Sequence, residues 1–179
     1  MDSKTLDIKH HWIVLENLIR ENGWKFGVEI GLEYGRTFNH LLKTFPGIYM
    51  IGVDPFRHMP DAPGEKPYRN MPHERNKTIV KDIAWRYRGR CQVIEKTSKQ
   101  GSFEVPNDSQ DFIFIDGDHS YEGVSEDILL WSPKVRNGGW ILGHDYSEYW
   151  AGLRKAVDEA FGPHVIEYPC KVWASRKGE

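Results

Sequence analysis

The chain has 179 residues and carries 24 Lys and Arg against 26 Asp and Glu, a net charge of −2 with histidine neutral. That length suits a single domain with a sizeable core, and the even balance leaves none of the basic surplus that duplex nucleic acid selects, so no nucleic-acid partner is expected. Residues 1–11 are polar, unlike a signal peptide, and no apolar run approaches the roughly twenty residues of a membrane span, so a cytoplasmic protein that meets no membrane is expected. Cys91 and Cys170 stand far apart without a Cys-x-x-Cys pattern and are expected in strands, as buried thiols of a reducing compartment.

Taken in chain order, the apolar pattern predicts a helix over 5–21, with Ile8, Trp12, Leu15 and Ile19 on one face and Asn22-Gly23 as its stop. A strand over 25–30 runs into Gly31-Leu32-Glu33-Tyr34-Gly35, which opens a helix over 36–45. A second strand over 48–54 ends on Asp54. A glycine turn between strand and helix, followed about twenty residues later by an acid, is how an α/β protein holds a nucleoside: the glycines let the backbone approach, and the acid takes the ribose hydroxyls.

Residues 55–72 carry five prolines in a loop of about eighteen residues, a length typical of lids and binding loops when it is not a mere connector. A helix over 73–87 follows, with Ile79, Val80, Ile83 and Ala84 inward; Arg86, Arg88 and Arg90 at its end read as a solvated terminus. Next come a strand over 92–95, a short helical piece over 98–103 and a strand over 111–116. The unbroken run Phe112-Ile113-Phe114-Ile115 suits a strand covered on both faces. Ser120 is placed to cap a helix with Tyr121, Val124, Ile128 and Trp131 inward. Asn137-Gly138-Gly139 is expected to turn the chain into a strand over 140–144. A last helix over 150–161, with Leu153, Ala156, Val157, Ala160 and Phe161 inward, leads to two closing strands, 164–168 and 172–175, paired antiparallel. Alternating strands and helices predict a mostly parallel α/β sheet with helices on both faces.

In such a sheet the ligand sits outside the carboxyl ends of the strands. Asp116 and Asp118 end the fourth strand, His144 and Asp145 end the fifth, and His119 follows closely. Three carboxylates and two imidazoles on one rim are costly to desolvate without a partner, so a bound cation or a catalytic task is expected there.

With these pieces placed, the chain resembles the class I S-adenosylmethionine-dependent methyltransferases, and among them the small O-methyltransferase-like branch known as methyltransferase family 24. The resemblance covers roughly 26–146. It rests on Val28-Glu29-Ile30-Gly31 through Gly35, on Asp54, on Phe112 through Tyr121, and on Gly138 through Tyr146. It implies a Rossmann-like fold of seven strands in one domain, and transfer of a methyl group from S-adenosylmethionine to a small polar acceptor, most readily a sugar or phenol hydroxyl. Glu29, Gly31 and Gly35 would form the cofactor turn, with the Glu29 carboxylate toward the amino-acid end. At Glu33 many relatives carry glycine. Thr37 either caps the following helix or reaches the cofactor carboxylate. Phe56 packs either on the adenine or in the core. Thr97 and Ser98 fall where the family meets the adenine, Ser98 doubling as a candidate helix cap. Asp116 stands both among the cofactor contacts and, with His144 and Asp145, where the metal-dependent members hold a divalent ion. His144 replaces the more usual acid, which shifts the expected metal from magnesium toward manganese, iron, nickel or zinc. His119 is the first candidate for the base that removes the acceptor proton, and His144 the second. The opening helix, the proline-rich loop or a second subunit of a homodimer would complete the acceptor pocket. An NAD(P)-dependent oxidoreductase, a non-catalytic cofactor-binding module and a metal hydrolase are the rival readings; the first lacks the third glycine of Gly-x-Gly-x-x-Gly.

Overall fold

A computed structural model describes residues 9–57 and 72–178. Most of the proline-rich loop, and the part of the opening helix expected before residue 9, lie outside the described residues. The described elements are α1 (His11–Asn22), β1 (Phe26–Ile30), α2 (Arg36–Thr44), β2 (Tyr49–Val53), α3 (His73–Arg86), β3 (Cys91–Ile94), α4 (Ser98–Ser102), β4 (Gln110–Ile115), α5 (Tyr121–Trp131), β5 (Val135–Gly143), α6 (Ala151–Phe161), β6 (Ile166–Tyr168) and β7 (Val172–Arg176).

The seven strands form one sheet in the order β3-β2-β1-β4-β5-β7-β6. β1 through β5 are parallel, and β7 runs antiparallel to both β5 and β6. This is the Rossmann-like methyltransferase fold expected above. The chain walks outward from β1 to β3, then returns to place β4 on the other side of β1. That reversal opens a crevice at the carboxyl ends of β1 and β4, where ligands of open α/β sheets bind.

The period of two along β4 builds both core layers. Phe112 and Phe114 pack with Leu15, Phe38, Leu41 and Val80 under α1, α2 and α3. Ile113 and Ile115 pack with Val124, Trp131, Val157 and Trp173 under α5 and α6. Every residue of β4 is buried, as its unbroken apolar run requires.

Several local expectations need correction. Asn137-Gly138-Gly139 does not lead into the last parallel strand; β5 already begins at Val135, and the register slips between Gln110↔Val135 and Phe112↔Trp140. Gly138 takes φ +76°, its N–H donates to the Lys177 carbonyl, and the Lys177 N–H donates to Gly139. The polar stretch is therefore ladder rather than turn, because the chain's last residues return to pair with it. Cys170 lies in a tight turn at φ +59° between β6 and β7, not in a strand; both cysteines are half-buried and neither forms a disulfide. Trp12 is not part of the buried stripe of α1, which is Val14, Leu15, Leu18 and Ile19, and Ala160 is exposed.

Candidate functional site

The carboxyl ends of β1, β2 and β4 open into a cavity of about 700 Å³. Its floor is the glycine turn. Gly31 has φ +83°, and a Cβ there would stand 2.2 Å from the Asp116 backbone oxygen. Only glycine lets the ends of β1 and β4 approach so closely, which is also what exposes backbone to a ligand. The turn is pinned from β2: Leu32 N–H and Glu33 N–H donate to Asp54 Oδ2 at 2.8 and 3.1 Å, and Phe56 N–H donates to Oδ1 at 2.7 Å. Three of the roughly four acceptor positions of this carboxylate are thus taken by the protein. Glu33 sits in the left-handed region at φ +52°, a conformation that a glycine would adopt with less strain.

Glu29 points up from β1 into this floor. It is 2% exposed, and its Oε2 is buried with no hydrogen-bond partner among the described residues. Burial, with the nearby charges of Asp116 and Asp54, raises its carboxyl well above the usual range. An orphaned buried acceptor of this kind calls for a donor from a ligand or water.

Beyond β3, Thr97 rather than Ser98 caps α4, in a reciprocal box with Gln100. Ser98 instead donates its hydroxyl proton to Asp127 Oδ1 and accepts from Trp131 Nε1 at 2.7 Å. Asp127 is 5% exposed, and burial first of all raises its carboxyl to about 7.

On the opposite side, Asp116, His144 and Asp145 each offer one ligand atom, and these atoms all lie within 4.8 Å of one another. His144 Nδ1 is 3.3 Å from Asp116 Oδ1 and 3.5 Å from Asp145 Oδ2. Burial alone would lower its pKa, yet the two carboxylates and a backbone bond to Cys170 outweigh burial and raise it. Burial would raise Asp145, but its hydrogen bond to His119 and the charge of His144 leave it lowered. His119 places Nε2 3.0 Å from Asp145 Oδ2 and stacks on Trp150 at 4.3 Å between ring centroids. It therefore holds Asp145 from behind. Asp118 lines the same cavity, and its Oδ1 accepts the Ser120 N–H at 2.7 Å, next to the helix start that Ser120 itself caps.

All the residues singled out from sequence line this one cavity: Glu29, Gly31, Thr37, Asp54, Phe56, Thr97, Ser98, Asp116, His119, His144 and Asp145, save Gly35, which is set back against α3. Two of these residues have partners within the protein. Thr37 neither caps α2 nor stands free, since its hydroxyl lies 2.6 Å from His11 Nε2. Phe56 is 5% exposed and belongs to the first core layer while touching the cavity. Sequence reasoning missed His11 and Asp127. His11 projects from α1 to within 4.3 Å of the His144 ring, and burial, then the charge of His144, lower it to about 4. Nothing in its own neighbourhood signalled this, because only the fold brings α1 over the rim. Asp127 had a signal: it shares the inward stripe of Val124, Ile128 and Trp131, where a carboxylate is out of place.

A seven-stranded sheet with this cavity, glycine turn and acid defines a class I methyltransferase fold. The profile of a family described as "Methyltransferase domain" matches residues 28–146, and the chain belongs to that family. A protein of Acanthamoeba polyphaga mimivirus is 46% identical over 146 residues, or 78% of this chain. The match spans 60% of the length of that relative. Among solved structures, an O-methyltransferase from Bacillus cereus in complex with S-adenosylhomocysteine aligns with TM-score 0.62 and 18% identity, over 93% of this chain and 80% of its own. A TDP-rhamnose 3′-O-methyltransferase of calicheamicin biosynthesis aligns with TM-score 0.68 and 16% identity, over 94% and 79%. Among the described residues no helix is long and apolar enough to cross a membrane.

Proposed function

We propose that this chain transfers a methyl group from S-adenosylmethionine to a hydroxyl of a small polar acceptor, and that Asp116, His144 and Asp145 hold a divalent cation beside it. One observation carries the reading: a cluster able to hold a cation opens into the same cavity as the glycine turn and the orphaned Glu29 carboxylate. Membership of the methyltransferase-domain family and a fold shared with O-methyltransferases support it.

The residues present fit both groups. Glu29 Oε2 lacks a donor, and a protonated donor amine or a water beside it would supply one. Asp54 keeps about one acceptor position, on Oδ1, so it takes one ribose hydroxyl directly rather than the two expected from sequence. Two carboxylates around a shared imidazole, one of them also held by His119, form a donor set for a borderline divalent metal. S-adenosylmethionine supplies a methyl already activated on sulfonium. A cation at the cluster would supply Lewis-acid polarisation of the acceptor hydroxyl.

The chain's own work is then alignment and proton handling. Asp54 and the glycine turn orient the donor, and proximity supplies most of the rate. His119 holds Asp145, and its second ring nitrogen is the candidate to take the acceptor proton; His144 is the alternative if no cation is held. His11 stays neutral and closes the rim against Thr37. α1, whose His11 reaches the rim, is placed to bound the acceptor.

Calorimetry with S-adenosylhomocysteine and with NAD, each with and without manganese, tests the reading. Binding of the former alone is expected, with manganese retained by the protein in metal analysis. Binding of NAD in its place would favour the oxidoreductase reading, and hydrolysis without cofactor binding the metal hydrolase.

A further inference from the structure

Asp127 stands apart from both the glycine turn and the cation cluster. It lies on the second turn of α5, buried, yet it lines the cavity on the side where β3 ends. Its Oδ1 is taken by the Ser98 hydroxyl proton. The ionised carboxylate can only accept, so the hydroxyl proton goes to Asp127, while one lone pair of the Ser98 oxygen takes the Trp131 indole N–H. Oδ2 has no hydrogen-bond partner among the described residues and keeps contact with the cavity. Among the described residues no cation balances the carboxylate. Lys99 of α4 pairs with Glu126 at 2.6 Å, and Asp118 and Glu126 add like charge from the start and the body of α5. A carboxylate so buried is stabilised by an N–H donor from whatever fills the space above it.

We propose that Asp127 Oδ2 accepts a hydrogen bond from the exocyclic amine of the methyl donor's adenine, and so selects that base. The inference rests on the donor reading above. A ribose at Asp54, on the end of β2, leaves the base over the neighbouring end of β3, where Ser98 meets Asp127. The raised carboxyl fits, because an N–H donor favours its charged form and turns a penalty of burial into selective binding.

The geometry makes two substitutions informative. Asp127→Ala removes the cavity-facing acceptor outright; in Asp127→Asn the amide oxygen can keep the Ser98 hydroxyl proton. The amide nitrogen then faces the cavity and presents a donor where the wild type presents an acceptor. S-adenosylhomocysteine offers a 6-amino group there; S-inosylhomocysteine offers a 6-oxo group. The wild type is expected to bind the adenosyl ligand about tenfold or more tighter than the inosyl ligand, Asp127→Ala to lose that preference, and an Asp127→Asn amide held this way to reverse it. Calorimetry with both ligands on all three proteins reads the ratio. A wild type that does not discriminate, or a ratio that survives Asp127→Ala, overturns the inference and leaves Asp127 as a latch between α4 and α5. A wild type that binds neither ligand overturns the donor reading itself, and this inference with it.

Discussion

Asp127→Asn also has a consequence for stability that needs no ligand. Burial pushes the Asp127 carboxyl up to about 7, well above the ordinary carboxylate range. The folded state therefore keeps its proton at pH values where the unfolded chain has released it, and stability falls as pH rises from the unfolded pKa through the folded one. Above that window the penalty is constant, on the order of 4 kcal/mol. At 5% exposure, solvent screening takes little from this figure. The amide fills the same space, keeps the Ser98 bond and cannot ionise. It should match or exceed the wild type in stability at pH 5, and the gap should widen by roughly 2–3 kcal/mol by pH 8. For a domain of this size that is roughly 4–12 °C in melting temperature. Urea and thermal unfolding of both proteins at the two pH values would read it. Glu29 adds its own slope to both, so the difference isolates Asp127. A gap that does not change with pH would show that Asp127 does not titrate in this range, and the account of its burial would be wrong.

Other expectations concern the turn and the cluster. Gly31→Ala places a methyl 2.2 Å from the Asp116 carbonyl oxygen at φ +83°, and should cost roughly 1–3 kcal/mol or more in a urea titration; an unchanged midpoint would mean that the ends of β1 and β4 yield freely. Asp54→Ala strips three backbone N–H groups of their acceptor, so it should weaken S-adenosylhomocysteine binding about tenfold or more and destabilise the ligand-free protein by roughly 1–3 kcal/mol. Weakened binding with unchanged stability would show that the turn does not depend on this carboxylate. For His144 the sign runs with the proton: its raised pKa means that protons compete for the imidazole up to a pH above the ordinary 6.5, so manganese affinity should rise with pH through that range. His144→Ala should remove most manganese binding, and retention of the ion at wild-type affinity would take the cluster out of consideration.

Much of this molecule could be read before folding because the signals are local. A period of two along Phe112-Ile113-Phe114-Ile115, glycines between strand and helix at Gly31 and Gly35, and an acid at the end of the next strand depend only on residues near one another in the chain. Right-handed crossovers then leave few ways to arrange the strands, and the order β3-β2-β1-β4-β5-β7-β6 is among them. The convergence of Asp116, His144 and Asp145 followed from strand adjacency in the same way. The irregular ladder at Asn137-Gly138-Gly139 could not be read, because its partner is Lys177, far along the chain. Nor could the role of Thr37, which His11 claims from α1, or the roles divided among the rim carboxylates. Asp118 accepts the Ser120 N–H at the start of α5, Asp145 is held by His119, and Asp127 is held by Ser98 across the α4–α5 interface. Side-chain partnership depends on which elements pack face to face and on how many donors each acceptor already serves. Those quantities come into being only when distant segments are desolvated together, so the sequence specifies which groups reach the site and the packed tertiary structure assigns what each of them does there.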